Sequence, residues 1–157
     1  MAGVKAATNS GYFYDSTVVP ALVYCADMGF EVISMSFFCD QVTAAESWAI
    51  NYCWSRGVLP VAAAGNSMSV LPFYPAAYEN VLSVAATSWD DAKSSFSNWG
   101  SWVDVAAPGE GLSTITLSGG YTTTFAGTSG AGPHVAGLAG LLFAAAPNAT
   151  NAMVRAA

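Results

Sequence analysis

The chain has 157 residues, enough for one domain with a sizeable core. Its 54% hydrophobic and 9% charged composition is too apolar for disorder. Ten acidic residues against four scattered bases, Lys5, Arg56, Lys93 and Arg155, give a net charge of −6. That leaves no basic stripe for nucleic-acid phosphates and no basic amphipathic helix for a membrane surface.

Residues 3–7 are compatible with a short strand. Asp15 and Ser16 can cap a helix running to about Met28, with Pro20 tolerated only in its first turn and Gly29 at its end. Residues 31–36 then read as a strand. Thr43-Ala-Ala-Glu46 has the form of a capping box, and its helix stops near Gly57. Residues 58–64 are continuously apolar, as expected of a strand covered on both faces. Residues 80–86 make a second such run and residues 102–106 a shorter one, followed by a turn at Pro108-Gly109.

Residues 121–125 are rich in β-branched side chains and lead into a small-residue helix over 130–146. Its apolar stretch, 136–146, has about half the residues of a bilayer span and reads as a buried helix. Residues 150–157 open another helix, which looks unfinished. The alternation of strands and helices implies an α/β fold: a doubly wound, mostly parallel sheet with helices on both faces. We draw one domain over residues 1–157, truncated at both ends.

Three cysteines, Cys25, Cys39 and Cys53, cannot all pair within one molecule, and their spacing fits no zinc pattern. We expect small buried apolar side chains. Nothing after Met1 has the form of a signal peptide, so a signal of an exported protein would lie upstream. Asn148-Ala-Thr150 is a formal glycosylation sequon, relevant only in a secreted eukaryotic protein.

The segment richest in chemistry is Phe125-Ala-Gly-Thr-Ser-Gly-Ala-Gly-Pro-His-Val-Ala-Gly137. Ser129 sits where a strand hands over to a helix, a place that presents a hydroxyl at the C-terminal edge of a parallel sheet. A phosphate loop fails because Pro133 and His134 stand where Lys and Ser/Thr are required. A dinucleotide fingerprint fails at Val135, and a hydrolase elbow at Ala131. On spacing alone, an ordinary serine helix cap remains the simplest account, with Pro133 in the first turn.

Gly127-Thr-Ser129 followed by Pro133-His-Val-Ala-Gly137 nevertheless resembles the nucleophile motif of the subtilisin family of serine proteases. Ala62-Ala-Ala-Gly-Asn66 resembles that family's oxyanion segment, and Val32-Ile-Ser-Met-Ser36 its cleft-lining strand. Tyr74-Pro-Ala-Ala-Tyr78, Ser95-Phe-Ser97 and Val103-Asp-Val-Ala-Ala-Pro-Gly109 match in the same order. The resemblance spans essentially the whole chain.

That resemblance implies a serine endopeptidase in which Ser129 attacks the scissile carbonyl. Asn66 and the Ser129 backbone N–H would hold the resulting oxyanion. Ser36, Phe37, Phe38, Ala64 and Gly65 would line the substrate cleft. The substrate would be a polypeptide, with no nucleic-acid or membrane partner, and a secreted or extracellular setting is favoured. No cofactor is required, although a structural Ca2+ on the backbone carbonyls of Ala76, Tyr78 and Val81 is compatible with the family.

The family's catalytic Asp and His come earlier in the chain order, and nothing in residues 1–40 resembles their motifs. They are expected in a missing N-terminal portion of the same domain. The one histidine, His134, lies about 500° of helix rotation and about 7 Å past Ser129, and should point away from it. It is expected to be a hydrogen-bonded histidine packed in the helix, and Asp104 a structural acid. An inactive pseudoprotease or peptide-binding remnant of the same fold is the alternative.

Three positions depart from the family pattern. Gly130 replaces a usual Met, and Gly132 a common Ser or Thr. Phe38 falls where the family has glycine; with Phe73 nearby, it should narrow the primary specificity pocket toward small side chains.

Overall fold

In the computed structural model, which describes residues 1–116 and 118–157, the main sheet has four parallel strands. They are β1 (Val32–Met35), β2 (Leu59–Ala63), β3 (Leu82–Thr87) and β4 (Val105–Pro108), in spatial order β1-β2-β3-β4. The register pairs Val32 with Leu59, Val61 with Leu82, and Val84 with Val105. Every residue of β2 is buried, as its unbroken apolar run requires.

Side chains alternate between two cores. Val58 and Ala62 join Val18, Leu22 and Ala26 of α1 (Asp15–Asp27), and Ala49, Ile50 and Cys53 of α2 (Ala44–Ser55). Leu59, Val61, Leu82, Val84 and Ala86 face Ala131, Ala139 and Phe143 of α3 (Thr128–Ala145) and Val154 of α4 (Asn151–Ala156). Helices therefore cover both faces, each strand's period of two feeding one core and then the other. Each fully buried Val or Leu removes enough apolar surface to contribute roughly 1.5–3 kcal/mol.

The capping box at α2 forms by one arm. Thr43 Oγ1 accepts the Glu46 N–H at 3.1 Å. The reciprocal arm passes through Tyr78: its hydroxyl accepts the Thr43 N–H at 3.3 Å and lies 3.2 Å from Glu46 Oε2. At the far end, the Gly57 and Val58 N–H groups bond back to the Trp54 and Cys53 carbonyls, with Gly57 at φ 84°. That reversal feeds the chain directly into β2.

Several expectations are corrected. Residues 3–7 form no strand; Ala7 makes only an isolated bridge to Phe13. Asp15 begins α1 instead of capping it, since Tyr14 is the N-cap and gives no side-chain bond. Pro20 lies in the second turn of α1, where its absent N–H cannot reach the Ser16 carbonyl. The strand expected over 102–106 starts at Val105 and runs through Pro108, and the Gly109 N–H extends its ladder to the Thr87 carbonyl at 2.9 Å.

β6 (Tyr121–Phe125) is not part of the parallel sheet. It pairs antiparallel with β5 (Leu112–Ile115) in a separate two-stranded sheet. The helix expected to be buried over 136–146 is covered on one side only: Ala139 and Phe143 are buried, while Leu138 and Leu141 are exposed. An open apolar groove of about 610 Å³ follows the edge of β1, lined by Val18, Leu22, Ile33, Met35, Ala136 and Gly140 among others.

Candidate active site

Three chain ends converge beyond the C-terminal edge of the sheet: the segments after β1 and β2, and the start of α3. Ser129 is half-buried in the first turn of α3. Pro133 lies one turn further on, not in the first turn as expected, so the Ser129 carbonyl loses its helical N–H partner. The Ser36 hydroxyl, at the end of β1, donates to that carbonyl at 3.2 Å. Ser36 thus ties the backbone of the candidate nucleophile to the strand edge.

Asn66 is exposed on the loop after β2, and its orientation is fixed by Thr128. Its Oδ1 accepts the Thr128 backbone N–H at 2.8 Å and the Thr128 hydroxyl at 2.9 Å. A backbone N–H can only donate, so the amide oxygen must face Thr128 and Nδ2 must face the other way. Thr128 is fully buried and its hydroxyl also accepts the Gly65 N–H at 3.1 Å. One buried threonine therefore fastens the start of α3 to the Ala64–Asn66 segment.

Gly65 permits a second close approach, that of the Asn98 side chain. Its φ is 102°, and a Cβ there would fall 2.5 Å from Asn98 Nδ2. Gly130 makes room of a different kind. A Cβ would meet Leu112 Cδ1 at 2.4 Å and Phe125 Cε1 at 3.1 Å, so these two side chains occupy the space a larger residue would need. At Gly132 the nearest contact of a Cβ would be an ordinary 3.7 Å, to the Ala63 nitrogen.

The cleft-lining candidates separate into different roles. Ala64 and Gly65 are buried. The Phe37 ring stacks on Phe13 at 4.5 Å and packs against the α1-side core. Phe38 is 48% exposed, edge-on to Phe73 at 5.2 Å, with Cδ1 4.0 Å from the place of a Gly65 Cβ. Its ring therefore lies beside Gly65 and Phe73. Cys39 pairs with Tyr74 through N–H···O bonds of 2.8 Å in both directions. Its thiol is exposed, against the expectation of burial; Cys25 and Cys53 are buried as expected. Burial, with Cys25 nearby, pushes the Cys53 thiol up to about 12, so it is inert.

His134 Nδ1 lies 2.8 Å from the Gly130 carbonyl, which can only accept, so Nδ1 carries the proton. The ring is exposed, not packed. It also borders an open cavity of about 320 Å³ whose lining includes Ser129. Asp104 has a structural role: Oδ2 accepts the Ser83 N–H at 2.8 Å, and Arg155 bonds Oδ1 at 3.1 Å.

Among the proposed cation ligands, the Tyr78 carbonyl already accepts the Val81 N–H at 3.1 Å. Three carbonyls supply at most half of the six to eight oxygens that calcium takes. Among the described residues no three His, Cys, Asp or Glu side chains gather to add to them.

Sequence reasoning missed Asn98. It is fully buried and bonds the Ala64–Ser69 loop at several points. The adjoining Ser95-Phe-Ser97 motif was its only pointer. The lock supplied by Thr128 was also missed, although Thr128 stands inside the nucleophile motif.

A doubly wound parallel sheet with a serine at the head of a helix on its C-terminal edge defines a subtilisin-like α/β architecture. A cold adapted subtilisin-like serine proteinase superposes with a TM-score of 0.89 at 35% identity, over 97% of this chain and 56% of that one. Sphericase superposes at 0.85 and 30% identity, with the same coverage. The chain belongs to the subtilase family, whose model matches residues 1–157. It is 44% identical over 154 residues to thermitase of Thermoactinomyces vulgaris, covering 98% of this chain and 54% of thermitase. It is 47% identical over 139 residues to the thermophilic serine proteinase of Bacillus sp. strain AK1, covering 88% and 34%. The chain thus spans between a third and just over half of these relatives.

Proposed function

We propose that residues 1–157 form the nucleophile-bearing part of a serine endopeptidase. Ser129 Oγ attacks the scissile carbonyl carbon, and the carbonyl oxygen takes up negative charge. Asn66 Nδ2 and the Ser129 N–H stabilise that oxygen, and collapse of the intermediate expels the amine to leave an acyl-enzyme on Ser129. The observation that carries this reading is the lock between Asn66 Oδ1 and Thr128, which leaves Nδ2 to donate near Gly127, where the Ser129 N–H also lies.

The base that takes the Ser129 proton and returns it to the departing amine nitrogen, and the acid that orients that base, are expected in another part of the same domain. His134 is the only histidine here and is bonded to the Gly130 carbonyl. The half-covered α3, with Leu138 and Leu141 exposed, and the apolar groove along β1 supply the surface where that part would seat. A secreted setting fits such an enzyme. Phe38, exposed beside Gly65 and braced by Phe73, favours small side chains at the primary specificity pocket.

The test compares the longer protein that contains this chain with its Ser129→Ala variant on casein and on peptide anilides. Turnover by the wild type and none by the variant supports the proposal. A wild type that binds peptides without cleaving them refutes it in favour of an inactive relative of the same fold. Residues 1–157 alone should hydrolyse peptides very poorly. Phe38→Ala should raise cleavage after Phe relative to Ala; an unchanged ratio removes Phe38 from specificity.

A further inference from the structure

The candidate oxyanion donor, Asn66, sits on an exposed loop that carries no regular structure. Yet an oxyanion donor must stand within a few tenths of an ångström of its working position. Something other than secondary structure has to hold the loop.

Asn98 does so from beneath. Its backbone N–H donates to the Gly65 carbonyl at 2.9 Å, and its Nδ2 to the Ala64 carbonyl at 2.8 Å. Its Oδ1 accepts the Ser67 N–H at 2.9 Å and the Ser69 N–H at 3.0 Å. The side chain thus grips the loop on both sides of Asn66 and touches neither Asn66 nor Ser129 through these bonds. It is fully buried. Asn98 is itself anchored: the Ser97 hydroxyl donates to the Asn98 carbonyl and accepts the Ala86 N–H of β3, both at 3.0 Å. Flanking bonds from Met68 to Phe96 and from Trp99 to Ser69 zip the two segments together.

We infer that Asn98 is a positioning residue for the oxyanion donor, transmitting the rigidity of β3 to Asn66. The inference rests on the endopeptidase reading above. It separates Asn98 from an ordinary core amide, because its effect on turnover must pass through Asn66.

The experiment is a double-mutant cycle in the longer protein, using an alanine-ended peptide anilide as substrate and circular dichroism to confirm folding. Asn98→Ala should lower kcat by about tenfold to a hundredfold, the scale of a misplaced catalytic group, and leave KM within about twofold. In an Asn66→Ala background the same change should cost less than about threefold more, because there is no donor left to misplace. If Asn98→Ala does not fold, Asn98→Ser replaces it, since its hydroxyl can still accept one of the two loop N–H groups. Losses that multiply across the cycle, or a kcat untouched by Asn98→Ala, overturn the positioning role alone. A wild type without turnover overturns the endopeptidase reading and this inference with it.

Discussion

Replacing Thr128 by valine keeps the side chain's shape and removes only its hydroxyl. In a fully buried position, that hydroxyl accepts the Gly65 N–H at 3.1 Å and donates to Asn66 Oδ1 at 2.9 Å. Orphaning the Gly65 N–H costs about 1–3 kcal/mol. The lost bond to Asn66 adds about 0.5–1.5 kcal/mol, since Oδ1 keeps the Thr128 N–H. Burying one more methyl returns about 0.8 kcal/mol. The net loss of about 1–4 kcal/mol is a large share of the 5–15 kcal/mol typical of a domain. Thr128→Ser, which keeps the hydroxyl and loses a methyl, should cost about 1 kcal/mol or less. Equilibrium urea unfolding of the two variants, with kcat measured in parallel, reads the difference. Thr128→Val should also lower kcat, by less than the roughly hundredfold or more expected on deleting an oxyanion donor outright, because one anchor of Asn66 survives. A valine variant as stable as the serine variant would refute the claim that this hydroxyl bolts the site together.

Gly132→Ala should stabilise the protein by about 0.4–1 kcal/mol in the same assay, because the added methyl meets only an ordinary contact and helix propensity improves. Gly65→Ala should destabilise it, through both the positive φ and the 2.5 Å approach to Asn98. Glu46 gives a pH test. Burial raises its carboxyl above the usual range, outweighing the Tyr78 hydrogen bond, with Asp15 adding to the rise. A raised folded-state value disfavours the ionised form in the fold. Stability from this group is therefore full below the ordinary glutamate value of about 4.3 and is lost as pH rises through the folded value. Glu46→Gln should be more stable than wild type at pH 7, with the advantage shrinking as pH falls toward about 4; a glutamine variant weaker at pH 7 contradicts this.

Much of the fold is legible because its signals are local. Thr43 and Glu46 announce α2 by spacing, and the unbroken run through Val61 announces a strand covered on both faces. The failures fall where tertiary context decides. Residues 121–125 look like any β-branched strand, and nothing in them says that their partner is Leu112–Ile115 instead of the parallel sheet. The helix α3 is apolar all round, so its sequence alone cannot tell which face is covered. Of the candidate site, Ser129 and Asn66 are legible through motif resemblance. Thr128 and Asn98 act through hydrogen bonds to residues more than 25 positions away, which no local pattern encodes. The Ser36 bond to the Ser129 carbonyl is of the same kind, a repair across the fold for a gap that Pro133 opens.

The most direct test of the nucleophile is chemical labelling. The longer protein containing this chain is treated with a fluorophosphonate, which phosphonylates only activated serines, and the adduct is located by peptide mass spectrometry. The account predicts one adduct, on Ser129, formed in proportion to the loss of peptidase activity. An intact Ser129 in a protein whose peptidase activity has been lost to the reagent would contradict it.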